Sequence, residues 1–192
     1  MTPGTTVALV GNPNAGKSTI FNALTGEHQH VGNWPGKTVE RKEGKFTAGG
    51  MTLNVVDLPG TYSLTAFSME EKITRDFLLQ GQPDAVVAVA DAANLERNLY
   101  IVVQMLELGV PLVVALNMAD IAESRGLKID TDRLAAGLNV PVIRTIATRG
   151  EGLEELKQAV AQAIQNGVHH PHRPLTTGVE FKNDAPRCPN CG

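Results

Sequence analysis

The sequence predicts an α/β fold with a mostly parallel six-stranded sheet, one antiparallel edge strand, and helices on both faces. Short apolar runs rich in Val, Leu and Ala alternate with stretches of helical character, which is typical of strand–helix–strand crossover units. Hydrophobic residues make up 42% of the chain and aromatic residues only 4%. Aliphatic side chains must therefore fill the core, as they do in parallel strands that are buried on both faces.

The predicted strands and helices alternate along most of the chain. Parallel strands are expected over residues 5–10, 51–57, 85–91, 111–117 and 140–145. Helices are expected over residues 17–24, 68–80, 95–108, 131–138 and 152–165. The pair Gly49-Gly50 separates two extended runs and predicts a hairpin turn, so residues 40–47 are expected to form the antiparallel edge strand.

Composition and charge exclude several classes of protein. The formal net charge of −3 provides no basic field of the kind that drives nucleic-acid binding, so no nucleic-acid partner is expected. Cys188 and Cys191 are the only cysteines, which rules out a disulfide framework and favours a reducing compartment. The first ten residues lack the basic start of a signal peptide, and the apolar runs are too short to span a bilayer. We therefore expect this chain to be soluble.

Residues 167–192 differ from the rest of the chain. They contain three prolines before Cys188 and show no periodicity of apolar residues. We expect residues 1–166 to form one domain and residues 167–192 to be a tail or linker of unknown structure.

The first chemical motif follows the first predicted strand. Gly11-x-x-x-x-Gly16-Lys17-Ser18 matches the pattern G-x-x-x-x-G-K-[ST] between a strand and a helix. Its glycines let successive backbone N–H groups point at a phosphate, and the start of the helix adds its dipole. Lys17 is expected to reach the outer phosphates, and the Ser18 hydroxyl to bind Mg²⁺. The predicted phosphate-binding residues are Asn12, Pro13, Asn14, Ala15, Gly16, Lys17, Ser18 and Thr19.

The tetrapeptide DLPG ends the predicted strand over residues 51–57. At this place in the fold class, Asp57 is expected to hold Mg²⁺ through water, and the N–H of Gly60 to contact the terminal phosphate. D-x-x-G by itself is a common turn. Its position at a strand end, after the glycine loop, makes it a second nucleotide motif.

The tetrapeptide NMAD, from Asn117 to Asp120, ends a further predicted strand. The Asp120 carboxylate can accept two hydrogen bonds from guanine, whereas adenine presents the wrong pattern. Met118 stands where Lys is commoner, but its polarizable side chain can still cover the nucleotide. The segment TIATRGEG supplies Ala147 and Thr148 as a third base-contacting loop. Together the four motifs predict a GTP-binding domain with the P-loop GTPase fold.

These motifs make the chain resemble the translation-factor-related class of small GTPases. GNPNAGKSTIFNALTG, VGNWPGKTVERKEG, DLPGTYSL and NMAD resemble more closely the cytosolic N-terminal GTPase domain of the FeoB ferrous iron transport family. The resemblance covers about residues 4–165, and VGNWPGKTVE is its most specific part. It implies a GTP-binding, slowly GTP-hydrolysing switch that regulates a membrane ferrous iron transporter. Such a domain works at the cytoplasmic face of the inner cell membrane, as part of a larger protein.

Residues 31–40 lie where a switch loop is expected, between the first helix and the edge strand. Thr38 is the plausible second Mg²⁺ ligand there, because the corresponding Thr of GTPases meets metal and terminal phosphate only in the triphosphate state. Trp34, Pro35 and Gly36 are expected to line the nucleotide. The Trp34 side chain is also interpreted as a hydrophobic anchor for the loop, which is compatible with lining through its backbone.

The catalytic arrangement departs from that of many GTPases. Many place Gln directly after D-x-x-G to orient the attacking water, whereas here Thr61 and Tyr62 follow Gly60. No arginine occupies an obvious finger position, although Arg41 and Arg149 stay open as candidates. We therefore expect slow hydrolysis unless another group supplies the missing charge.

Asn14 is a candidate ligand for a cation that would supply that charge. In GTPases that this chain resembles, an Asn at this place binds K⁺ together with main-chain carbonyls, which would here be those of Gly32 and Trp34. A monovalent cation there neutralises developing charge without a partner protein. Alternatively, Asn14 only tolerates a turn conformation. The expected cofactors are Mg²⁺ and K⁺ with GTP or GDP as ligand, and the expected catalytic residues are Asn14, Lys17, Thr38 and Gly60.

The resemblance implies that the membrane transporter domain of the same full-length protein is a partner, and it leaves open a small cytosolic partner protein. FeoB-like domains usually continue into a helical domain and then a membrane domain. Neither pattern is found in residues 167–192, so no family function is carried past residue 165.

Three alternatives stay open. A ribosome-assembly or tRNA-modification GTPase shares this style of glycine loop, but such proteins need a further RNA-binding or catalytic domain. A nucleotide-gated binding module with negligible turnover agrees with the missing Gln. A zinc-binding adaptor would use Cys188-x-x-Cys191 together with His169, His170 and His172.

Overall fold

The chain folds into a seven-stranded sheet with helices on both faces. The computed structural model describes residues 4–26, 29–65, 67–81 and 83–167. The strands are β1 (Thr6–Gly11), β2 (Gln29–Asn33), β3 (Glu40–Ala48), β4 (Met51–Asp57), β5 (Ala85–Asp91), β6 (Leu112–Asn117) and β7 (Val142–Arg144). The helices are α1 (Lys17–Thr25), α2 (Met69–Gln80), α3 (Leu95–Leu108), α4 (Ala119–Ser124), α5 (Thr131–Leu138) and α6 (Leu153–Asn166).

The strand order is β2-β3-β4-β1-β5-β6-β7. β1 pairs in parallel with β4 and β5, and β6 continues the parallel set between β5 and β7. β3 is antiparallel to both of its neighbours, β2 and β4. Because five strands run in one direction, their carboxyl ends all reach the same edge of the sheet.

The two faces of the sheet carry separate hydrophobic clusters. On one face, Phe21 of α1 and Leu156 of α6 pack on the central strands. On the other face, Ile101 and Met105 of α3 do the same. All four side chains are completely buried. The central strands therefore need apolar residues at successive positions, which explains their continuous rather than alternating apolar runs.

Local signals set the helix ends. Ser68 and Glu71 form a capping box at the start of α2, in which each side chain accepts a hydrogen bond from the other residue's backbone N–H. α3 ends at Gly109, whose φ of +69° lies in the left-handed region that glycine adopts most easily. Within the described ranges, every helix falls short of the length and apolar content that crossing a bilayer would need.

The predicted fold class is confirmed, but the strand count was wrong by one. β2 lies outside β3, so the strand predicted over residues 40–47 is antiparallel without being the edge. All five residues of β2 are exposed, and the strand is defined only by backbone pairing with β3, so no burial pattern marks it in the sequence. The six-residue α4 was also missed. The other predicted elements begin and end within two residues of their expected bounds.

Phe21→Ala is expected to lower the free energy of unfolding by about 3–5 kcal/mol, because removing a completely buried ring leaves a cavity. Denaturant unfolding measures this change. Tyr100→Ala is the control, since Tyr100 is 56% exposed and its loss should stay within about 0.5 kcal/mol. Equal losses in the two variants would contradict the core assignment of Phe21.

Candidate functional site

The predicted motifs meet at the edge of the sheet where the parallel strands end. The glycine loop follows β1, Asp57 is the last residue of β4, and Asn117 is the last residue of β6. A short 3₁₀ turn, Ala147–Arg149, follows β7. Open α/β sheets bind ligands at this edge, so the topology alone brings the four motifs to one place.

Lys17, Ser18 and Asp57 form one end of the site. Lys17 Nζ donates to Asp57 Oδ1 at 2.6 Å, and Ser18 Oγ donates to Asp57 Oδ2 at 3.3 Å. The side chains of Lys17 and Asp57 are only 10% and 6% exposed, so they form a largely buried ion pair. A hydroxyl and a carboxylate side by side are the oxygen ligands that Mg²⁺ prefers, and the donor set therefore fits that ion.

The glycine loop is held in a conformation that few residues tolerate. Gly16 has a φ of +87°, and a Cβ atom placed on it would lie 2.2 Å from Asn117 Nδ2. Only glycine fits there. Asn14 also lies in the left-handed region, with a φ of +66°, and is exposed. Asn tolerates this region better than most residues, so the turn alternative for Asn14 stays open.

The other predicted residues of this loop differ in burial. Asn12 and Ala15 are buried, Pro13 is exposed, and Thr19 is half-buried in the first turn of α1. Asn12 Nδ2 donates to the carbonyl of Arg97 at 3.3 Å, which ties the loop to the first turn of α3.

Asn117 joins two loops of the site to the end of β6. Its Nδ2 donates to the carbonyl of Ala15 at 3.1 Å. Its Oδ1 accepts from the N–H of Ala147 at 3.1 Å and from Thr145 Oγ1 at 3.3 Å. Because Asn117 is only 3% exposed, these hydrogen bonds lie out of water and fix the loops relative to each other.

The DLPG turn packs directly on the glycine loop. A Cβ atom on Gly60 would lie 3.1 Å from Pro13 Cα, and the N–H of Thr61 donates to the carbonyl of Gly11 at 3.1 Å. Thr61 is 2% exposed, and its hydroxyl donates to the carbonyl of Ser63 at 2.6 Å. The Thr61 hydroxyl is therefore engaged with the main chain. A side chain at Gly60 would crowd Pro13.

The NMAD motif and the last loop form the other end of the site. Met118 has a φ of +60°, and its methyl carbon lies 3.4 Å from the place of a Cβ atom on Gly16, so its side chain covers the glycine loop. Asp120 lies in the first turn of α4, with Oδ2 3.5 Å from a guanidinium nitrogen of Arg149. Thr148 is exposed beside this pair.

The structure does not bring Thr38 to the Lys17–Asp57 pair. Thr38 is exposed in the turn between β2 and β3. Among the described residues, no hydrogen bond joins it to Ser18 or Asp57. Its role as a metal ligand stays a prediction. It requires the loop to rearrange so that Thr38 comes close to Ser18 and Asp57.

The remaining loop residues lie beside Thr38. Trp34 is 8% exposed and packs in the same hydrophobic cluster as Ile101 and Met105, which agrees with its interpretation as an anchor for the loop. Its carbonyl accepts from the N–H of Lys37 at 2.9 Å. Pro35 and Gly36 are exposed, and Gly32 pairs with β3. No hydrogen bond within the described ranges joins Gly32 or Trp34 to Asn14, so their predicted K⁺ site is not assembled here.

The two arginines kept open as fingers have other contacts. Arg41 pairs with Glu43 and stacks on Trp34, with its guanidinium carbon 4.7 Å from the ring centroid. Arg149 pairs with Asp120. Sequence reasoning missed Arg97, which lies 4.0 Å over the ring of Tyr62. No motif marks this contact, because it forms between α3 and a loop brought together by the fold.

Comparison with known proteins gives the family. A family model described as ferrous iron transport protein B matches residues 5–160. The Fe(2+) transporter FeoB of Salmonella typhimurium is 49% identical over 187 residues, which is 94% of this chain and 24% of the relative. The Fe(2+) transporter FeoB of Escherichia coli K12 is 54% identical over 159 residues, or 81% of this chain and 21% of the relative.

The chain belongs to the FeoB family. It spans about a quarter of the length of these relatives. The predicted family resemblance is thereby confirmed.

Solved structures agree with this FeoB assignment. The crystal structure of the G domain of T. maritima FeoB matches with a TM-score of 0.78 and 48% identity, covering 84% of this chain and 99% of that one. The cytosolic domain of T. maritima FeoB matches in a GDP form (TM-score 0.81, 49% identity, 85% and 64% coverage). It also matches in a GMPPNP form (TM-score 0.81, 50% identity, 84% and 64% coverage).

Some expectations lie outside the described residues of this FeoB chain. They include the tail from residue 168 onward and the zinc site that would use Cys188, Cys191 and the nearby histidines. The part that the structure describes contains no group of three or more His, Cys, Asp or Glu residues that could hold a metal ion. The predicted domain boundary after residue 166 stays a prediction.

The carboxylate of Glu71 organises the segment that precedes α2. It accepts hydrogen bonds from Ser63 Oγ at 3.0 Å, from Thr65 Oγ1 at 3.3 Å, and from the N–H of Phe67 at 3.0 Å. Burial by itself would raise the pKa of Glu71, but the hydrogen bonds from Ser63, Phe67, Ser68 and Thr65 together leave it below its ordinary value. Sequence reasoning did not single out this residue.

Asn117→Ala is expected to lower the free energy of unfolding by about 1–3 kcal/mol, because it leaves buried main-chain groups of Ala15 and Ala147 without partners. Thermal or denaturant unfolding measures this. Thr145→Val is the matched control, since it removes only one hydroxyl contact to the same side chain and should cost less. A loss no larger than that of the control would contradict the joining role of Asn117.

The lowered pKa of Glu71 predicts a loss of stability in acid. Because its pKa is lower in the folded chain, the carboxylate stabilises the fold fully above the ordinary Glu pKa, and this is lost as pH falls through the folded value. The difference in unfolding free energy between wild type and Glu71→Gln should be constant above about pH 5 and shrink in stronger acid. Glu154→Gln, at an exposed site on α6, controls for the loss of a carboxylate. A difference that is independent of pH would refute the prediction.

Proposed function

We propose that this chain binds GTP and GDP with Mg²⁺, hydrolyses GTP slowly, and acts as a switch for a membrane ferrous iron transporter of which it is a part. One observation carries the proposal. The buried Lys17–Asp57 pair with Ser18 lies at the same sheet edge as Asn117 and Asp120, and Asn117 is hydrogen-bonded to the glycine loop that precedes Lys17. The T. maritima relatives in GDP and GMPPNP forms support it.

The phosphates are bound by the glycine loop and Lys17. The free N–H groups at the start of α1 donate to phosphate oxygens. Lys17 exchanges Asp57 for the outer phosphates, so its charge stays paired in both arrangements. Ser18 and Thr38 would hold Mg²⁺ directly and Asp57 through water; when bound, the ion neutralises charge on the phosphates.

Guanine is recognised at the other end of the site. Asp120 accepts from the two donors on the edge of guanine, and Asn117 positions the loop that carries Ala147. Met118 covers the nucleotide from the side of Gly16. An adenine base would leave the carboxylate without donors, which disfavours ATP.

Hydrolysis is slow because the usual water-orienting side chain is missing. Thr61, which takes its place, donates its hydroxyl to Ser63 and is buried. Gly60 contributes its N–H at the terminal phosphate. Asn14 would hold K⁺ together with the carbonyls of Gly32 and Trp34, and a cation there supplies positive charge where many GTPases use an arginine.

In the full-length protein, this chain lies at the cytoplasmic face of the inner membrane and reports its nucleotide state to the transporter domain. The passage of iron belongs to the part of the protein outside these residues. A small cytosolic protein is a further partner.

A second candidate function is a nucleotide-gated binding module with negligible turnover. The engagement of the Thr61 hydroxyl with the main chain favours it, because this hydroxyl is then not free to orient a water as the usual Gln does. The two functions differ only in the rate of hydrolysis.

The test is GTP turnover at fixed Mg²⁺ in KCl and, at equal ionic strength, in NaCl. Wild type should be faster in KCl, and Asn14→Ala should remove the difference without abolishing GTP binding, because only the cation ligand is lost. Phosphate release and binding of fluorescent GDP measure the two properties.

Asn139→Ala is the matched control. Asn139 is also an asparagine in the left-handed region, with a φ of +56°, but it ends α5 away from the site. It should keep the K⁺ stimulation. Equal and very slow rates in both salts, with GTP still bound, would reject the potassium role and favour the binding module. Failure to bind GTP would reject the proposed function as a whole.

A further inference from the structure

Trp34 lies in an aromatic cluster that connects two loops of the site. Its ring centroid is 5.6 Å from that of Phe77 on α2, with the rings at 75° to each other. The guanidinium of Arg41 on β3 stacks over the same indole. Trp34 is 8% exposed although Pro35 and Gly36 beside it are exposed, so its side chain, together with the half-buried Val39, holds this loop on the body of the chain.

A continuous path runs from this cluster to the DLPG turn. Thr74 of α2 is completely buried, and its Oγ1 donates to the carbonyl of Pro59 at 3.3 Å. Phe77 follows Thr74 by three residues, which is about one turn of the same helix. A displacement of the DLPG turn would thus reach Trp34 through a rigid helix, and Trp34 lies four residues before Thr38.

Packing of the two rings and stacking of Arg41, which also pairs with Glu43, hold the cluster. Trp34 Nε1 and Arg41 Nε are buried and find no hydrogen-bond partner among the described residues. Buried donors without partners oppose the packing of the rings. An arrangement held by such opposing contributions can be shifted by a ligand that favours another loop position.

We propose that Trp34 is a positioning residue that couples the loop between β2 and β3, which carries Thr38, to α2 through Phe77. The loop and the helix then respond together to the terminal phosphate. The inference rests on the proposed nucleotide switch and adds the contact through which its two mobile parts act together. Trp34 acts through the position of Thr38, while the DLPG turn acts through Thr74 and Phe77.

The test is a double-mutant cycle on nucleotide discrimination, the ratio of the GDP to the GMPPNP dissociation constant at fixed Mg²⁺. Trp34→Ala and Phe77→Ala should each lower the preference for GMPPNP by about two- to tenfold, the contribution of such an aromatic pair. The double variant should lose no more than either single variant. Phe77→Ala should change GDP affinity little, because Phe77 lies on α2 outside the residues predicted to contact the nucleotide.

Two further variants keep the test decisive if Trp34→Ala folds poorly. Trp34→Phe keeps an aromatic ring and removes the unpaired N–H, so it should retain most of the discrimination. Leu79→Ala is the control on α2, because Leu79 is 37% exposed and lies outside the cluster. Since Trp34 is the only tryptophan, its fluorescence should change between GDP and GMPPNP in wild type, and this change should be lost in Phe77→Ala.

The outcomes separate this inference from the proposed function. Losses in the double variant that equal the product of the two single losses would overturn the coupling. Parallel losses of GDP and GMPPNP affinity, with discrimination unchanged, would reduce Trp34 to a structural residue and overturn it as well. If wild type binds neither nucleotide, the proposed function fails first.

Discussion

The buried side chain of Asn117 is the contact on which the geometry of the site depends. It connects the glycine loop to the last loop of the sheet edge, although these segments are far apart in sequence. Its position is set by β6, which is buried along its whole length. Through these hydrogen bonds the buried strand β6 restrains loops that would otherwise be held only at their ends. The close fit of Gly16 against Asn117 shows how little space the arrangement leaves.

The Lys17–Asp57 pair illustrates a second constraint on such a site. Two charges at 10% and 6% exposure are costly to bury, and their attraction offsets that cost only while both are present. In the proposed function the same two groups bind phosphate and metal, so each charge keeps a partner of opposite sign throughout. The ion pair therefore keeps both groups in place at the sheet edge and makes their exchange of partners possible.

The two ends of the site differ in how firmly they are held. Around Asn117, loops are fixed by buried hydrogen bonds, whereas the loop between β2 and β3 is attached through Trp34 and the half-buried Val39, and β2 before it has five exposed residues. In the segment between Gly60 and α2, the carboxylate of Glu71 accepts hydrogen bonds from Ser63 and Phe67, and the N–H of Leu64 donates to Gln104. In the proposed function, the firmly held end binds the base and the two more loosely held segments lie at the phosphates, which suits a switch because low local stability is what allows a segment to move.

The sequence by itself determined the fold class, most element bounds and the family, and it predicted which motifs end at one edge of the sheet. Continuous apolar runs mark strands that are buried on both faces, and the spacing of the glycine loop predicts a phosphate site. β2 could not be predicted, since exposed strands carry no periodic signal and form only when a partner strand is present. Contacts such as Trp34 on Phe77, Arg97 on Tyr62 and Thr74 on Pro59 were decided by the tertiary structure alone. Local sequence fixes which residue lies at each position of a helix or loop, but which side chains meet depends on how the sheet brings distant elements together.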